Sequence, residues 1–260
     1  MQTEYWKKIA PTENYYKIGP LFCLWLGESE YAIGDGGGAD GKEVVAFYAG
    51  KNAVWTNSLA PTQPDNKADL GEGNFVGPVL SKDGKTIYAA SHGNDAKSWI
   101  VSIDVKTRKL EHFISSDEAG VEVNAPMQCL IARDRLLVLY SGAGGKDDSR
   151  VVEYDLKSKK SVDQWALPGL ADAMGIAPIP GKPDEYAVVD NNWDLKSVKK
   201  GKLARVKLAP GKDAEIKVLA DNLRGPVHCA FGPDGRLYVA CLGTMFDETN
   251  GEVIAVEGVK

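Results

Sequence analysis

Five times along the chain, a short inner strand and a tight turn lead into a second strand, and these five copies set the frame for everything else. The clearest pair is FVGPVLSKDGKTIYAASHGN (75–94) and LRGPVHCAFGPDGRLYVACLG (223–243). Both turn at KDG or PDG and both second strands carry a Tyr-x-Ala step, the pattern of two short strands around a tight turn. The frame returns as YKIGPLFCLWLGESEYAIGDGG (16–37), VNAPMQCLIARDRLLVLYSGAGG (123–145) and ADAMGIAPIPGKPDEYAVVDNN (171–192). Anchored at the end of each second strand, it marks Asp35, His92, Ser141, Asp190 and Leu242. These lie roughly 50 residues apart, a period that signals repeat architectures. The step from Leu242 through the termini back to Asp35 has the same size, so five units consume all 260 residues.

Each unit also supplies a third and a fourth strand. Helical periodicity is nearly absent, and alternating apolar and polar runs replace it. The pairs are EVVAFYA (43–49) with AVWTNS (53–58), SWIVSIDV (98–105) with KLEHFIS (109–115), VVEYDL (151–156) with SVDQWAL (161–167), and KLARVKL (202–208) with AEIKVLA (214–220). The fifth unit has only GEVIAVEG (251–258), and its missing outer strand is expected from TEYWKKI (3–9), which would cover an otherwise open sheet edge. Four-stranded repeats of this length predict an all-β fold. The expectation is a five-bladed β-propeller of four-stranded antiparallel blades, closed by the N-terminal strand, as a single domain over 1–260. A β-sandwich with a coincidental repeat is the competing fold.

Composition narrows the function. A net charge of −5 with a pI near 5.4 gives no electrostatic basis for binding nucleic acid or an anionic membrane. No apolar run approaches the roughly 20 residues that span a bilayer. The N-terminus has no apolar core of a signal peptide, so a soluble protein is expected, and a monomer. Cys23, Cys129, Cys229 and Cys241 show neither CxxC spacing nor disulfide density. They read as buried apolar thiols, with Cys23, Cys129 and Cys229 at one frame position and Ser81 as its fourth member.

The stretch NLRGPVHCAFGPDGRLYVACLG (222–243), followed by GEVIAV, resembles one repeat of the SMP-30/gluconolactonase and NHL group of propellers; SKDGKTIYAAS (81–91) is a looser match. The resemblance implies a ligand or metal site at one end of a central channel. It also implies, for the SMP-30 enzymes, a divalent cation held by a Glu, two Asn and an Asp. Where that family places a ligand Asn after the Pro, this chain has Leu21, Val79, Met127 and Val227, so the metal cage does not carry over. Five blades would be a further departure from the family's usual six.

Chemistry is expected at the mouth of the channel, among loops on a rigid scaffold. The anchor positions Asp35, His92, Ser141, Asp190 and Leu242 form a ring there, four of them polar. Gly36, Gly93, Gly142 and Gly243 follow four of them and Asn191 follows the other. Asp35, His92 and Asp190 are the candidate catalytic groups, or the ligands of a divalent metal. An imidazole and two carboxylates suit Zn, whereas Asp35, Asp190 and Asn191 suit Ca. Equally, each Asp could simply cap its own turn. Ser141, Asn191, Trp193, His228, Phe246, Arg224 and Glu122 are candidate substrate contacts, with Lys17, Asp172 and Met245 nearby in sequence. His112, on an outer strand, reads as structural. The reading that follows is an enzyme acting on a small organic molecule. Lactone or ester hydrolysis of SMP-30 type comes first, and isomerase, lyase or cyclase chemistry next. A non-catalytic NHL-like propeller binding a protein or glycan is the alternative, and a five-bladed glycosidase with Asp35 and Asp190 as paired carboxylates a third.

Overall fold

A computed structural model describes residues 20–27, 30–35, 43–49, 52–59, 75–91, 98–115, 125–192, 201–242 and 251–259 of the chain. They form nineteen strands in five antiparallel sheets. The first sheet is β1 (Pro20–Trp25), β2 (Glu30–Asp35), β3 (Glu43–Ala49) and β4 (Asn52–Leu59). The second is β5 (Phe75–Leu80), β6 (Thr86–Ser91), β7 (Trp99–Asp104) and β8 (Leu110–Ser115). The third is β9 (Pro126–Ala132), β10 (Arg135–Tyr140), β11 (Arg150–Tyr154) and β12 (Ser161–Ala166). The fourth is β13 (Ala173–Pro178), β14 (Glu185–Asp190), β15 (Gly201–Lys207) and β16 (Glu215–Leu223). The last is β17 (Pro226–Phe231), β18 (Leu237–Cys241) and β19 (Glu252–Val256).

Every sheet is a meander in sequence order, as four alternating runs joined by short turns require. The expectation of five four-stranded blades is corrected: the described residues contain four of them, and the last sheet stops at three strands. The run proposed to complete it, 3–9, lies outside the described residues, so closure by the N-terminal strand is not established.

The chain divides into two compact units. One is Met1–Ala119 with Cys129–Arg133, the other Gly120–Gln128 with Asp134–Lys260. Within the first, Ala32, Phe75, Ile87, Ala89, Val101 and Ile103 form the core. Within the second, Ala187, Val189 and Leu203 of the fourth sheet bury against Cys229, Leu237, Val239 and Cys241 of the last. Period-2 alternation turns these residues to one face of each sheet. Two sheets approach so closely that Gly is required. A Cβ on Gly175 would lie 2.8 Å from the His228 Cα, and one on Gly201 would lie 2.2 Å from the Pro226 Cδ.

A turn repeat accompanies the strand repeat. In DVKTRK (104–109) the Asp104 carboxylate accepts from Lys106 N (3.1 Å) and Thr107 N (2.6 Å). In DLKSKK (155–160) Asp155 accepts from Lys157 N (3.2 Å) and Ser158 N (2.7 Å). Arg108 and Lys159 then take left-handed φ values of 63° and 61°. Both turns join a third strand to a fourth, and both are side-chain-capped in the way Asp favours.

The cysteine reading changes in part. Cys129, Cys229 and Cys241 are buried, but Cys23 is exposed. Burial raises the thiol pKa in all four, to about 12 for Cys229. Ser81 leaves the frame they share. It lies past the end of β5, where its Oγ donates to Asp83 (2.7 Å) and accepts from Thr86 N (2.9 Å), as a turn residue does. On β8, His112 stacks on Trp99 at 4.0 Å between ring centroids.

Candidate functional site

Strand register corrects the ring. Asp35 pairs with Pro20, Ser91 with Phe75, Asp190 with Ala173, and Cys241 with Pro226. Asp35 and Asp190 are therefore the last residues of their strands. His92 and Leu242 sit one residue further on, as does Ser141 after the last residue of β10, Tyr140. A one-residue offset turns a strand side chain to the opposite face, so the five anchors are not one equivalent set. The positions matching Asp190 are Ser91, Tyr140 and Cys241, and those matching Ser141 are Asn191 and Leu242. The offset hid in the sequence because the tracts after the second strands are all rich in Gly or Asn.

In the second unit the ends of β10, β14 and β18 close with one backbone bond. Ser141 N donates to Ala125 O (2.9 Å), Asn191 N to Asp172 O (2.9 Å) and Leu242 N to Gly225 O (2.8 Å). The accepting residue directly precedes the next inner strand. Ala125 and Gly225 both carry positive φ, 54° and 58°. Gly adopts this freely, whereas Ala125 is strained there, the more so before Pro126.

Asp190 adds a second set of bonds. It is fully buried, and its Oδ1 accepts from Asp172 N (2.7 Å) and Asn192 N (3.1 Å). Its Oδ2 is buried and has no hydrogen-bond partner among the described residues, and the same holds for Asn191 Nδ2. Burial pushes the Asp190 carboxyl pKa upward. The backbone donors and the nearby Lys202 ammonium act against that shift without cancelling it. Lys202 is the cross-strand partner of Asp190 and spends its Nζ on Gly169 O at 2.6 Å.

The 141–149 loop locks onto this corner. Both oxygens of Asp172 accept from Gly145 N at 3.1 Å. Ser149 Oγ donates to Ser141 O (2.8 Å) and accepts from Ala173 N (3.0 Å). Gly142, at φ 82°, leaves room for the Asp148 carboxylate: a Cβ there would sit 1.9 Å from Asp148 Oδ1. Asp148 in turn accepts from Ala143 N (3.1 Å). Asp190, Asn191, Asp172 and Ser141 thus belong to one hydrogen-bonded corner. Sequence reading did not identify Ser149, Asp148 or Gln128 as parts of the second unit's framework. Asp148 was legible as the Asp of a KDDS turn following Gly-rich chain.

Gln128, Gly175 and His228 hold the same place, two residues after the first residue of β9, β13 and β17. Gln128 Oε1 accepts from Ile176 N (2.9 Å), tying β9 to β13. His228 is exposed, and the protein around its imidazole lowers its pKa. Arg224 bonds Glu252 at the start of β19 (3.1 Å). Leu242 is half exposed. Asp35 is placed by its backbone only. His92, Trp193, Phe246 and Glu122, with Lys17 and Met245, lie outside the described residues. Among the described residues, no three His, Cys, Asp or Glu side chains are grouped so as to hold a metal.

No protein-family model matches the chain, and no curated protein sequence matches it. Solved structures do. Virginiamycin B lyase from Staphylococcus aureus, an inactive variant with quinupristin, matches at a TM-score of 0.58 and 14% identity, over 96% of this chain and 72% of that one. The β-propeller domain of the Trilobed protease from Pyrococcus furiosus, with its open velcro topology, matches at 0.50 and 13%, over 94% and 70%. The fold is a β-propeller. An exo-β-1,3-galactanase from Phanerochaete chrysosporium matches at 0.63 and 9%, over 86% of this chain, which spans about half of that enzyme (55%). At these identities the likeness carries the fold, and the site has to be argued from its own residues. Among the described residues, no helix is long and apolar enough to cross a membrane.

Proposed function

We propose that this propeller is an enzyme acting on a small organic molecule at the end of the blades where β10, β14 and β18 finish. One observation carries the reading: Asp190 is a buried carboxyl with a raised pKa and one oxygen unpartnered. Burial that raises a carboxyl pKa moves it toward the range in which a general acid works. In this reading Oδ1 holds the corner together and Oδ2 is the oxygen left for acid chemistry, in the same hydrogen-bonded corner as Ser141 and Asn191. The alternative role for this carboxyl is as a ligand of Zn or Ca. Lactone or ester hydrolysis comes first, and lyase, isomerase or cyclase chemistry next. That neighbouring propellers include a lyase and a glycosidase supports enzymatic use of the fold in general.

The closure expected from the sequence is part of the same proposal. TEYWKKI (3–9) would pair with β19 and complete a fifth blade. The three-stranded last sheet, with Val253 of β19 exposed, supports it.

A panel of lactones and small esters, run with metal analysis of the purified protein, tests the function. Turnover in the wild type that disappears in Asp190→Asn, and only weakens in Ser141→Ala, is the expected result. Turnover unaffected by Asp190→Asn would sink the assignment. A second reading, a binding propeller that presents its surface to a protein or glycan, is favoured by the exposed Trp25. Its ring lies parallel to that of its cross-strand partner Tyr31 at 6.0 Å, and Trp and Tyr are enriched among binding hot spots. Glycan or protein binding lost on Trp25→Ala, without turnover of any substrate, would decide for it.

A further inference from the structure

One face of the fourth sheet carries a cluster of charged side chains on β14, β15 and β16. Glu185 of β14, Lys207 of β15 and Glu215 of β16 form one cross-strand row, and Arg205 and Lys217 occupy the next row on the same face. With Ile216 they line a cleft of about 340 Å³, large enough for a small ligand. Arg205 is bonded through Nε and Nη2 to Glu185 Oε2, and Lys207 pairs with Glu215 at 3.5 Å. Lys217 lies directly across from Arg205 and pairs with no carboxylate among the described residues. Like charges directly opposite on neighbouring strands are destabilising, so the sheet places a cation where its own stability would favour a neutral or acidic residue. Two rows thus combine three cations with two carboxylates, and the uncompensated charge sits beside a guanidinium that, among the described residues, bonds Glu185 alone.

We infer that this cleft binds a phosphate-type oxyanion between Lys217 and the free edge of Arg205. The planar guanidinium supplies parallel donors and the ammonium a point charge, the combination that recognises phosphoryl oxygens. The anion removes the like-charge conflict that the empty cleft contains. The site belongs to β14–β16 and uses neither Asp190 nor its loop, so it stands or falls separately from the proposed activity.

Inorganic phosphate is titrated into the full chain at constant ionic strength, with chloride as the control anion, and backbone amide shifts of β15 and β16 are followed. Saturable shifts that chloride does not reproduce are expected. They should weaken by about tenfold or more, some 1.4 kcal/mol, in Lys217→Gln, and persist unchanged in Asp190→Asn. Arg205→Lys, which keeps the charge and loses the fork, should weaken phosphate more than it weakens a carboxylate such as acetate. Glycerol 2-phosphate binding as well as free phosphate assigns the site to phosphate esters; preference for free phosphate assigns it to the ion. Non-saturating shifts, or shifts that Lys217→Gln leaves intact, overturn the site. Lys217 is exposed on an outer strand, so the variant keeps its fold.

Discussion

The ends of β14 and β18 are built on one backbone plan and filled with different chemistry. Both strands finish opposite the first residue of an inner strand, and both are followed by an N–H bonded to the residue before that strand. At β18 the terminal residue is Cys241, whose thiol makes no part of that closure. At β14 it is Asp190, which adds two backbone bonds of its own and leaves Oδ2 buried with no partner among the described residues. The closure therefore forms with a thiol, and at β10 with the aromatic Tyr140. A carboxylate at this position exceeds what the turn requires. A buried polar atom without a partner costs about 1–3 kcal/mol, and the closure itself, which also forms at β10 and β18, does not require the carboxyl that carries this cost.

Among the described residues the fourth sheet has four strands and the last three, and the largest expected effect tests the shorter of the two. Deleting residues 1–12 removes the proposed partner of β19. An uncovered edge beside the exposed Val253 invites association with other chains. The truncated protein should aggregate or melt well below the full chain, read by light scattering during a thermal ramp. A truncated chain that melts like the full one would leave the last sheet complete at three strands.

Next in size is a pair of core and edge substitutions. Leu203 of β15 is fully buried between the fourth and last sheets. Leu203→Ala should cost about 2–5 kcal/mol in denaturant unfolding, the range for a large-to-small change in a packed core. Val253→Ala, at 69% exposure, should stay within about 0.5 kcal/mol. A Val253→Ala cost approaching that of Leu203→Ala would mean that this side chain is covered in solution, as a completed fifth blade requires.

What the sequence made legible follows from the same physics. The Tyr-x-Ala second strands and their KDG or PDG turns repeat because each blade needs an inner hairpin, and the runs after them were placed to within three residues. Blade count from spacing went further than the described strands do, since a period cannot tell which chain segment supplies the last strand. The site was half legible. Asp190 stood out because a carboxylate ends a strand of buried apolar residues. Its alignment with His92, Ser141 and Leu242 was off by one, because Gly and Asn tracts give no side-chain alternation by which to fix register. The Gly145–Asp172 and Ser149–Ala173 bonds were invisible, since they join residues 24 to 27 positions apart through backbone groups that no residue type announces.

The smallest expected effect is also the one that isolates Asp190. Asn keeps an acceptor for Asp172 N and Asn192 N, so Asp190→Asn should fold with a melting temperature close to wild type near pH 4. The difference should then grow with pH. Burial raises the carboxyl pKa in the folded protein above its ordinary value. Between the two values the folded state holds a proton that the unfolded chain has released, and stability falls as pH rises through that interval. Asn does not titrate, so the variant escapes this loss. Melting curves of both proteins from pH 4 to pH 8 should show Asp190→Asn gaining on the wild type as pH rises from 4, and levelling off once pH passes the raised carboxyl pKa. The opposite trend, with wild type gaining, would mean that ionised Asp190 is held by a cation. That outcome would shift the reading from a buried general acid to a metal ligand, the other role open to this carboxylate. Cys241→Ser, at the matching position of β18, should show no such divergence over the same range, because its thiol pKa, raised by burial, lies above it.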